Sequence, residues 1–267
     1  MIEFLSVSII SFLASSVGAL LGIGGGVVMV PLFVMFCKLT IQQAVAISLF
    51  TIIGTSALVS SKFIKSGALN LKLGISLELF TTGGSIVGGL VALRLNHRLL
   101  SALFGLFLIG VAFLMSIKNR KNMEKLAENG SFSYFDDKLN KNVFYTPKNL
   151  TAAYPISFAA GLTSGMFGIG GGVLKVPLLF KICKLPIKVA TATSSFMVGI
   201  TASAAAYIYY SNGVLIPQLA FFSMIGSLFG SRVGVLIHSK IDSEKLKQVF
   251  IYSLIVIAIF MIFKALK

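Results

Sequence analysis

Residues 22–31 read Gly22-Ile23-Gly24-Gly25-Gly26-Val27-Val28-Met29-Val30-Pro31, and 146 positions later the chain reads Gly168-Ile169-Gly170-Gly171-Gly172-Val173-Leu174-Lys175-Val176-Pro177. The likeness does not stop at the glycines. At the same offset Leu32 maps onto Leu178, Cys37-Lys38-Leu39 onto Cys183-Lys184-Leu185, Ser48 onto Ser194 and Thr55 onto Thr201. Across 22–55, 18 of 34 positions are identical. Further on the register shifts to 142, where Gly84-Ser85 and Gly88 meet Gly226-Ser227 and Gly230. The chain is therefore two copies of one unit, a signature that governs any further reading.

Working outward from the two motifs, apolar runs long enough to cross about 30 Å of hydrocarbon fall at 2–21, 41–64, 73–95, 99–117, 151–167, 187–210, 214–237 and 248–266. Two shorter pieces, 27–37 and 173–183, follow the glycines directly. At 1.5 Å per residue each reaches roughly 17 Å, about half a membrane. Composition agrees: 56% of the 267 residues are hydrophobic, only 12% are charged, and the mean hydropathy is +0.94. A water-soluble surface takes about 25% charged residues. Two Cys and 6 Pro also exclude a disulfide scaffold and a collagen. The expected fold is an all-α polytopic membrane protein of about 8–10 segments, each repeat holding a Gly-broken helix or re-entrant hairpin plus three spanning helices. Residues 1–117 form the first repeat, 118–150 a hydrophilic connecting loop with room for a short interfacial helix, and 151–267 the second repeat. Met1-Ile2-Glu3-Phe4 lacks a basic signal-peptide start, so 2–21 reads as a retained first helix.

The net charge of +15 would suit a nucleic-acid binder if it sat on a soluble surface. Its distribution points elsewhere. In the first copy, Lys62, Lys65, Lys72 and seven basic residues of 118–150 lie on one side, against Lys38, Arg94 and Arg98 on the other. In the second copy Lys181, Lys184, Lys188, Lys240, Lys245 and Lys247 oppose Lys264 and Lys267. Basic residues collect on the cytoplasmic side. The two copies are then inverted, as in many secondary transporters. The central loop is expected in the cytoplasm and both termini outside the cell membrane. Lipid and a small anion are the expected partners, a homo-oligomer is open, and nucleic acid is unnecessary.

A glycine-rich break inside a membrane is tolerated where backbone lines a cavity. Gly22, Gly24, Gly25 and Gly26, with Gly168, Gly170, Gly171 and Gly172, let a ligand approach the main chain, and successive N–H groups there form an anion nest. Pro31 and Pro177 read as the starts of the short helices, whose positive ends converge near the midplane. Close helix packing by small residues is the competing reading. In the following helices Ser48, Thr55, Ser194 and Thr201 are candidates for a polar path or for helix–helix glue. Thr40-Ile41-Gln42-Gln43 has the form of a capping box, and its counterpart Pro186 suits a first helical position.

Charges inside the membrane are costly, so each needs a partner or a wet cavity. Lys175 stands where the first copy has Met29, and is a candidate anion ligand. Arg232, within Gly226-xxx-Gly230-xxx-Gly234, is a second candidate cation. Glu78 is the candidate for proton coupling, although Lys72, six residues earlier, offers it an interfacial ion pair. Cys37, Cys183, His97 and His238 read as structural. No metal-ligand cluster, catalytic triad or cofactor motif occurs in the sequence, and the chain reads as a non-enzyme.

The doubled Gly-x-Gly-Gly-Gly-x₄-Pro at 22–31 and 168–177 resembles the TauE/SafE family of sulfite exporter-like permeases. The Ala-rich Ser/Thr segments 44–57 and 190–206 look similar too, as do the Gly-rich helices ending in Arg94-Leu95-Asn96-His97-Arg98 and in Arg232 to His238. The resemblance covers nearly all of the chain except 118–150. It implies a permease for small anions, often sulfur-containing ones such as sulfite, thiosulfate or organosulfonates. A passive anion channel and a non-transporting membrane scaffold are the alternatives.

Overall fold

In the computed structural model, residues 2–21, 25–65, 67–116, 130–136, 141–238 and 243–266 are described. Ten α-helices account for most of them: α1 (Ile2–Leu21), α2 (Gly26–Phe36), α3 (Ile41–Lys65), α4 (Leu71–Arg94), α5 (His97–Ser116), α6 (Leu150–Phe167), α7 (Gly172–Pro177), α8 (Ile187–Ser211), α9 (Pro217–His238) and α10 (Ser243–Leu266). A π-helical turn, Leu178–Ile182, continues α7. Every apolar run expected to cross the membrane is a helix, with ends moved by a few residues. Among the described residues, Ile41–Ser61, Leu71–Arg94, His97–Leu114 and Ile187–Ser211 are long and apolar enough to span a bilayer by themselves.

The distribution of side chains is that of a membrane protein. Leu5, Leu79, Phe113, Val256 and Phe263 are exposed, while Ser11, Ser48, Thr51, Glu78, Thr81 and Lys175 are buried. Water would favour the opposite arrangement; hydrocarbon favours this one. The chain is an all-α polytopic membrane protein.

Local signals explain how the helices begin. The Thr40 hydroxyl accepts the Gln43 N–H at 3.2 Å, and the Gln43 side chain accepts the Thr40 N–H at 3.0 Å. That is the reciprocal capping box the sequence predicts. Pro186 sits one residue earlier than expected, at the N-cap of α8, with its carbonyl accepting the Ala190 N–H at 2.9 Å. The prolines of the motif also differ from expectation. Pro31 lies in the middle of α2, and Pro177 is the last residue of α7. Both short helices start directly at glycine, Gly26 and Gly172, so each proline arrives one and a half turns later. A proline there withholds the N–H owed to the carbonyl four residues back. In the second repeat the ladder then widens, Cys183 N–H bonding to Leu178 O at 3.1 Å, a π-type turn. After both short helices a lysine takes a left-handed conformation, Lys38 at φ 53° and Lys184 at φ 57°.

Packing crosses the boundary between the repeats. Helix α1 packs on α9, α4 on α6, α3 on α8 and α5 on α10. The α1–α9 and α4–α6 pairs correspond under the repeat, and both are seams of small residues. A Cβ at Gly161 would lie 1.9 Å from the Thr81 carbonyl oxygen, and one at Gly84 would lie 2.1 Å from that of Phe158. On the other pair, Gly226 and Gly230 stand equally close to the Ser8 and Phe12 carbonyls. Such contact lets two backbones touch, the usual source of helix association in lipid. One buried core includes Val27, Phe33 and Phe104 of the first copy with Phe167, Ile169 and Leu254 of the second.

The described part of the connecting segment holds no helix. It forms an antiparallel hairpin, β1 (Phe132–Asp136) with β2 (Lys141–Tyr145), Phe132 facing Tyr145 and Asp136 facing Lys141. Alternation decides this: Tyr134, Val143 and Tyr145 are buried while Phe135 and Phe144 are exposed, the period of two that a strand demands. The hairpin is pinned to the bundle where the Asn70 side-chain amide donates to the Tyr145 hydroxyl at 3.0 Å.

Candidate functional site

The two glycine breaks meet at the centre of the bundle. Gly168, Gly170 and Gly171 all have left-handed φ, between 69° and 74°, a conformation that other L-residues resist. Gly26 of the first break faces the second so closely that a Cβ would lie 2.5 Å from the Gly168 carbonyl oxygen. That oxygen also accepts the Ser48 hydroxyl at 2.7 Å. Gly26, Gly168 and Ser48 are thus spent on packing and on satisfying a broken backbone. Gly22 and Gly24 lie outside the described residues.

Beside the junction is a cavity of about 410 Å³. Gly25, Ile169 and Gly172 from the two breaks line it, with Thr55 and Ser56 of α3 and Ser194 and Ser195 of α8. Helix α1 contributes Ser15, Gly18 and Ala19, and α9 contributes Ser231 and Arg232. The Arg232 side chain is exposed at the rim, and it is the charged lining residue. The cavity is built from the later turns of α3 and α9 and the first turns of α8. Those ends lie on the side of the hairpin, because Asn70, which follows α3, holds Tyr145. The volume suits a small ligand. Thr55, Ser56, Ser195 and Ser231 donate to backbone carbonyls and so offer mainly acceptor oxygens, whereas the Arg232 guanidinium can grip an oxyanion through two parallel N–H bonds.

Toward the opposite side, where a second pocket of about 290 Å³ lies against Tyr207, Tyr210 and Pro217, hydrogen bonds tie the helices together. Ser223 shares hydrogen bonds with Ser11 at 2.7 Å and Thr51 at 2.6 Å. The Gln42 amide donates to the Leu95 carbonyl at 3.0 Å. The buried Tyr209 hydroxyl donates to the Gly165 carbonyl at 3.0 Å.

Lys175 and Glu78 lie away from the cavity and meet each other. Lys175 Nζ stands 3.2 Å from Glu78 Oε2, with side-chain exposures of 0% and 4%. The Thr201 hydroxyl bridges them, accepting from Lys175 and donating to Glu78. Thr81 donates to the same carboxylate at 2.6 Å and Thr82 at 3.2 Å. The interfacial pair of Glu78 with Lys72 does not form; Lys72 is exposed. The reason is geometric. Residues six apart on a helix point about 120° away from each other, whereas α7 delivers Lys175 straight onto α4. Both carboxylate oxygens accept hydrogen bonds and the ammonium donates two, so the charges are paired and bonded, the condition under which a buried ion pair survives.

Of the expected site residues, Gly25, Gly172, Thr55, Ser194 and Arg232 are brought together at the cavity. Lys175, Glu78 and Thr201 form a second, enclosed group. Pro31, which is buried, and Pro177 belong to the short helices, and Gly170 and Gly171 shape the turn before α7. Ser15, Ser231 and Thr81 escaped sequence reading. Ser15 precedes the matched window, but Ser231 and Thr81 sit beside glycine seams, where a small polar residue on the same face was the available signal.

These features define a polytopic helical membrane protein with an internal, mostly apolar cavity between two related halves. The profile described as Sulfite exporter TauE/SafE matches residues 7–261, and the chain belongs to that family of membrane transporters. It is 27% identical to the "Probable membrane transporter protein YunE" of Bacillus subtilis (strain 168) over 99% of both chains. It is also 27% identical to a "Probable membrane transporter protein" of Methanocaldococcus jannaschii, over 95% of this chain and 93% of that one. A shorter match, 36% identical over 89 residues, joins 33% of this chain to 21% of the "Sulfite exporter TauE/SafE family protein 6" of Arabidopsis thaliana. No solved structure matches the chain.

Proposed function

We propose that this transporter is a secondary permease of the cell membrane that moves a small, sulfur-containing oxyanion such as sulfite by alternating access. The observation that carries the reading is the cavity of about 410 Å³ at the meeting of the two breaks, where Arg232 and several Ser and Thr side chains interrupt a mostly apolar wall. A compact oxyanion has many acceptor atoms and no apolar body, so a cationic fork among hydroxyls suits it. The two repeats are inverted and rock about the Gly26–Gly168 contact. The basic loops orient the linker toward the cytoplasm and both termini outward, so the present cavity faces the cytoplasm. The hydrogen bonds that tie the helices at the opposite end favour a carrier over an open channel.

The test is sulfite flux into proteoliposomes holding the full chain, with thiosulfate and an organosulfonate as competitors, with and without a pH gradient. Saturable flux that Arg232→Gln reduces at least tenfold is expected, while the variant still inserts. Absent flux of all three anions, or flux unchanged by Arg232→Gln, overturns the assignment.

A further inference from the structure

Corresponding residues of the two halves are in different states. Thr55 lines the open cavity; Thr201, its counterpart, is fully buried between Lys175 and Glu78. Gly18 also lines the cavity, whereas Ser164, its counterpart at the offset of 146, is buried with a hydroxyl that makes no hydrogen bond. Phe63 stands at the cavity and Tyr209, its counterpart, is locked onto Gly165. An unpartnered buried hydroxyl calls for an explanation. A Cβ at Gly171 would touch Ser164 Cβ and Lys175 Cε alike, each at 3.3 Å, so this hydroxyl-bearing side chain adjoins the ion pair.

Two copies of one unit that exchange conformations exchange their open and closed ends. The residues now enclosed in the second half then take the places now lining the cavity. We infer that Glu78, Lys175 and Thr201 form a protonation site that opens to the face opposite the linker when the present cavity closes, its ligand being a proton on the Glu78 carboxylate. This rests on the alternating-access reading above. In the present state the carboxylate is sealed and fully bonded, and the pair ties α4 of one repeat to α7 and α8 of the other. In the exchanged state Ser164 and Thr201 are wetted. Glu78 then trades Lys175 for a proton from that side only. At the related crossing Met29 of the first repeat stands in place of Lys175, and Ala220 of the second repeat stands in place of Glu78 at the offset of 142, so no such exchange occurs at the linker face.

Lys175 is the charged group bonded to Glu78. The other ionisable side chains on the described elements packed around it are Lys72 and Arg94 at the ends of α4, Tyr154 on α6, Lys181 in the π turn, Lys188, Tyr207, Tyr209 and Tyr210 on α8, and Tyr145 of the hairpin. None bonds to Glu78; its partners are Lys175, Thr81, Thr82 and Thr201.

The experiment places single thiols at the two corresponding positions, Thr55→Cys and Ser164→Cys, in a full-length chain carrying Cys37→Ser and Cys183→Ser. Oriented proteoliposomes are treated with a membrane-impermeant methanethiosulfonate on either face across a pH titration. The thiol at 55 is expected to react from the linker face and the thiol at 164 from the other face only. Acidification is expected to raise the rate at 164 and lower it at 55, and Glu78→Gln to abolish both responses while leaving both thiols reactive. Reaction at 164 from the linker face, no reaction at 164 in protein that reacts at 55, or an unchanged pH response in Glu78→Gln overturns the inference. If Glu78→Gln does not fold, Thr201→Val takes its place: it keeps both charges, and a pH midpoint that fails to move overturns the inference equally. Sulfite flux separates the two readings. Missing flux with the expected labelling counts against the oxyanion assignment alone, and normal flux with an inert thiol at 164 counts against the protonation site alone.

Discussion

The two related helix crossings place corresponding side chains in opposite chemistry. Lys175 and Thr201 of the second copy meet Glu78 of the first, with Thr201 between the two charges. At the related crossing the corresponding residues are Met29 and Thr55 of the first copy and Ala220 of the second, and Met29 and Ala220 are buried apolar side chains. The side-chain ends even lie over matching glycines. Met29 Cε is what a Cβ at Gly25 would strike, and Lys175 Cε is what a Cβ at Gly171 would touch. A flexible thioether and a lysine stem therefore fill equivalent space, and only one of them brings a charge that demands an answer. The comparison teaches that the ion pair is an addition to the fold and not a requirement of it.

The sharpest way to break that comparison is to convert one copy into the other. Lys175→Met alone leaves the Glu78 carboxylate buried without its cation, a loss of about 3–5 kcal/mol. Lys175→Met combined with Glu78→Ala reproduces the Met29–Ala220 arrangement and is expected to recover most of that loss, because a buried pair is often replaceable by apolar groups. Thermal unfolding of the detergent-purified protein measures both. A double variant no more stable than Lys175→Met would show that the pair is integral to the second half.

What the sequence revealed and what it concealed divide along the same line. Membrane segments were legible because each is a continuous apolar run, and the Thr40–Gln43 box because its partners are three residues apart. The partner of Glu78 was not. Lys175 lies 97 residues away, beyond any local spacing, and Lys72 was the nearer decoy. The starts of α2 and α7 were misplaced because proline is a local signal for a first turn, whereas here glycine had already started the helix. The hairpin was hidden in a stretch read by its charge, although Tyr134, Val143 and Tyr145 alternate with exposed neighbours. The cavity itself was legible only in part, since Ser15 and Ser231 join it through the α1–α9 crossing, a tertiary fact.

That crossing supplies the next test, of intermediate size. If the two seams are equivalent, Gly161→Ala in the α4–α6 pair and Gly226→Ala in the α1–α9 pair destabilise alike. Each forces backbones apart, since the added carbon would stand 1.9 Å and 2.1 Å from a facing carbonyl oxygen. Overpacking of this kind costs about 1–3 kcal/mol. Gly110, with nothing within 4 Å, is the control and tolerates alanine. Loss confined to one seam would mean that only one pair of repeats is tightly joined.

A smaller difference separates the starts of α3 and α8. Thr40→Ala removes the acceptor for the Gln43 N–H and should cost about 1 kcal/mol. Pro186→Ala, at the corresponding N-cap, removes no side-chain hydrogen bond and should shift thermal stability by less. The reverse ranking would mean that the two caps do not do the same work.

The smallest expected effect concerns the one described region with no counterpart in the other half, the linker hairpin. Asn70 caps α4 by accepting the Leu73 N–H at 3.0 Å while its amide donates to the Tyr145 hydroxyl. Tyr145→Phe removes only that second bond, a loss of about 0.5–1.5 kcal/mol. Its pH dependence identifies the cause. Burial pushes the Tyr145 phenol up from its usual value, with the Asn70 hydrogen bond partly opposing. A group whose folded value is raised stabilises fully below the unfolded value, about 10 for tyrosine. That contribution is lost as pH rises through the folded value. The stability gap between the native chain and Tyr145→Phe should therefore stay constant through neutral pH and narrow in alkali. A gap that widens in alkali would place the phenol in an environment that favours its ionised form, contrary to its burial against the bundle.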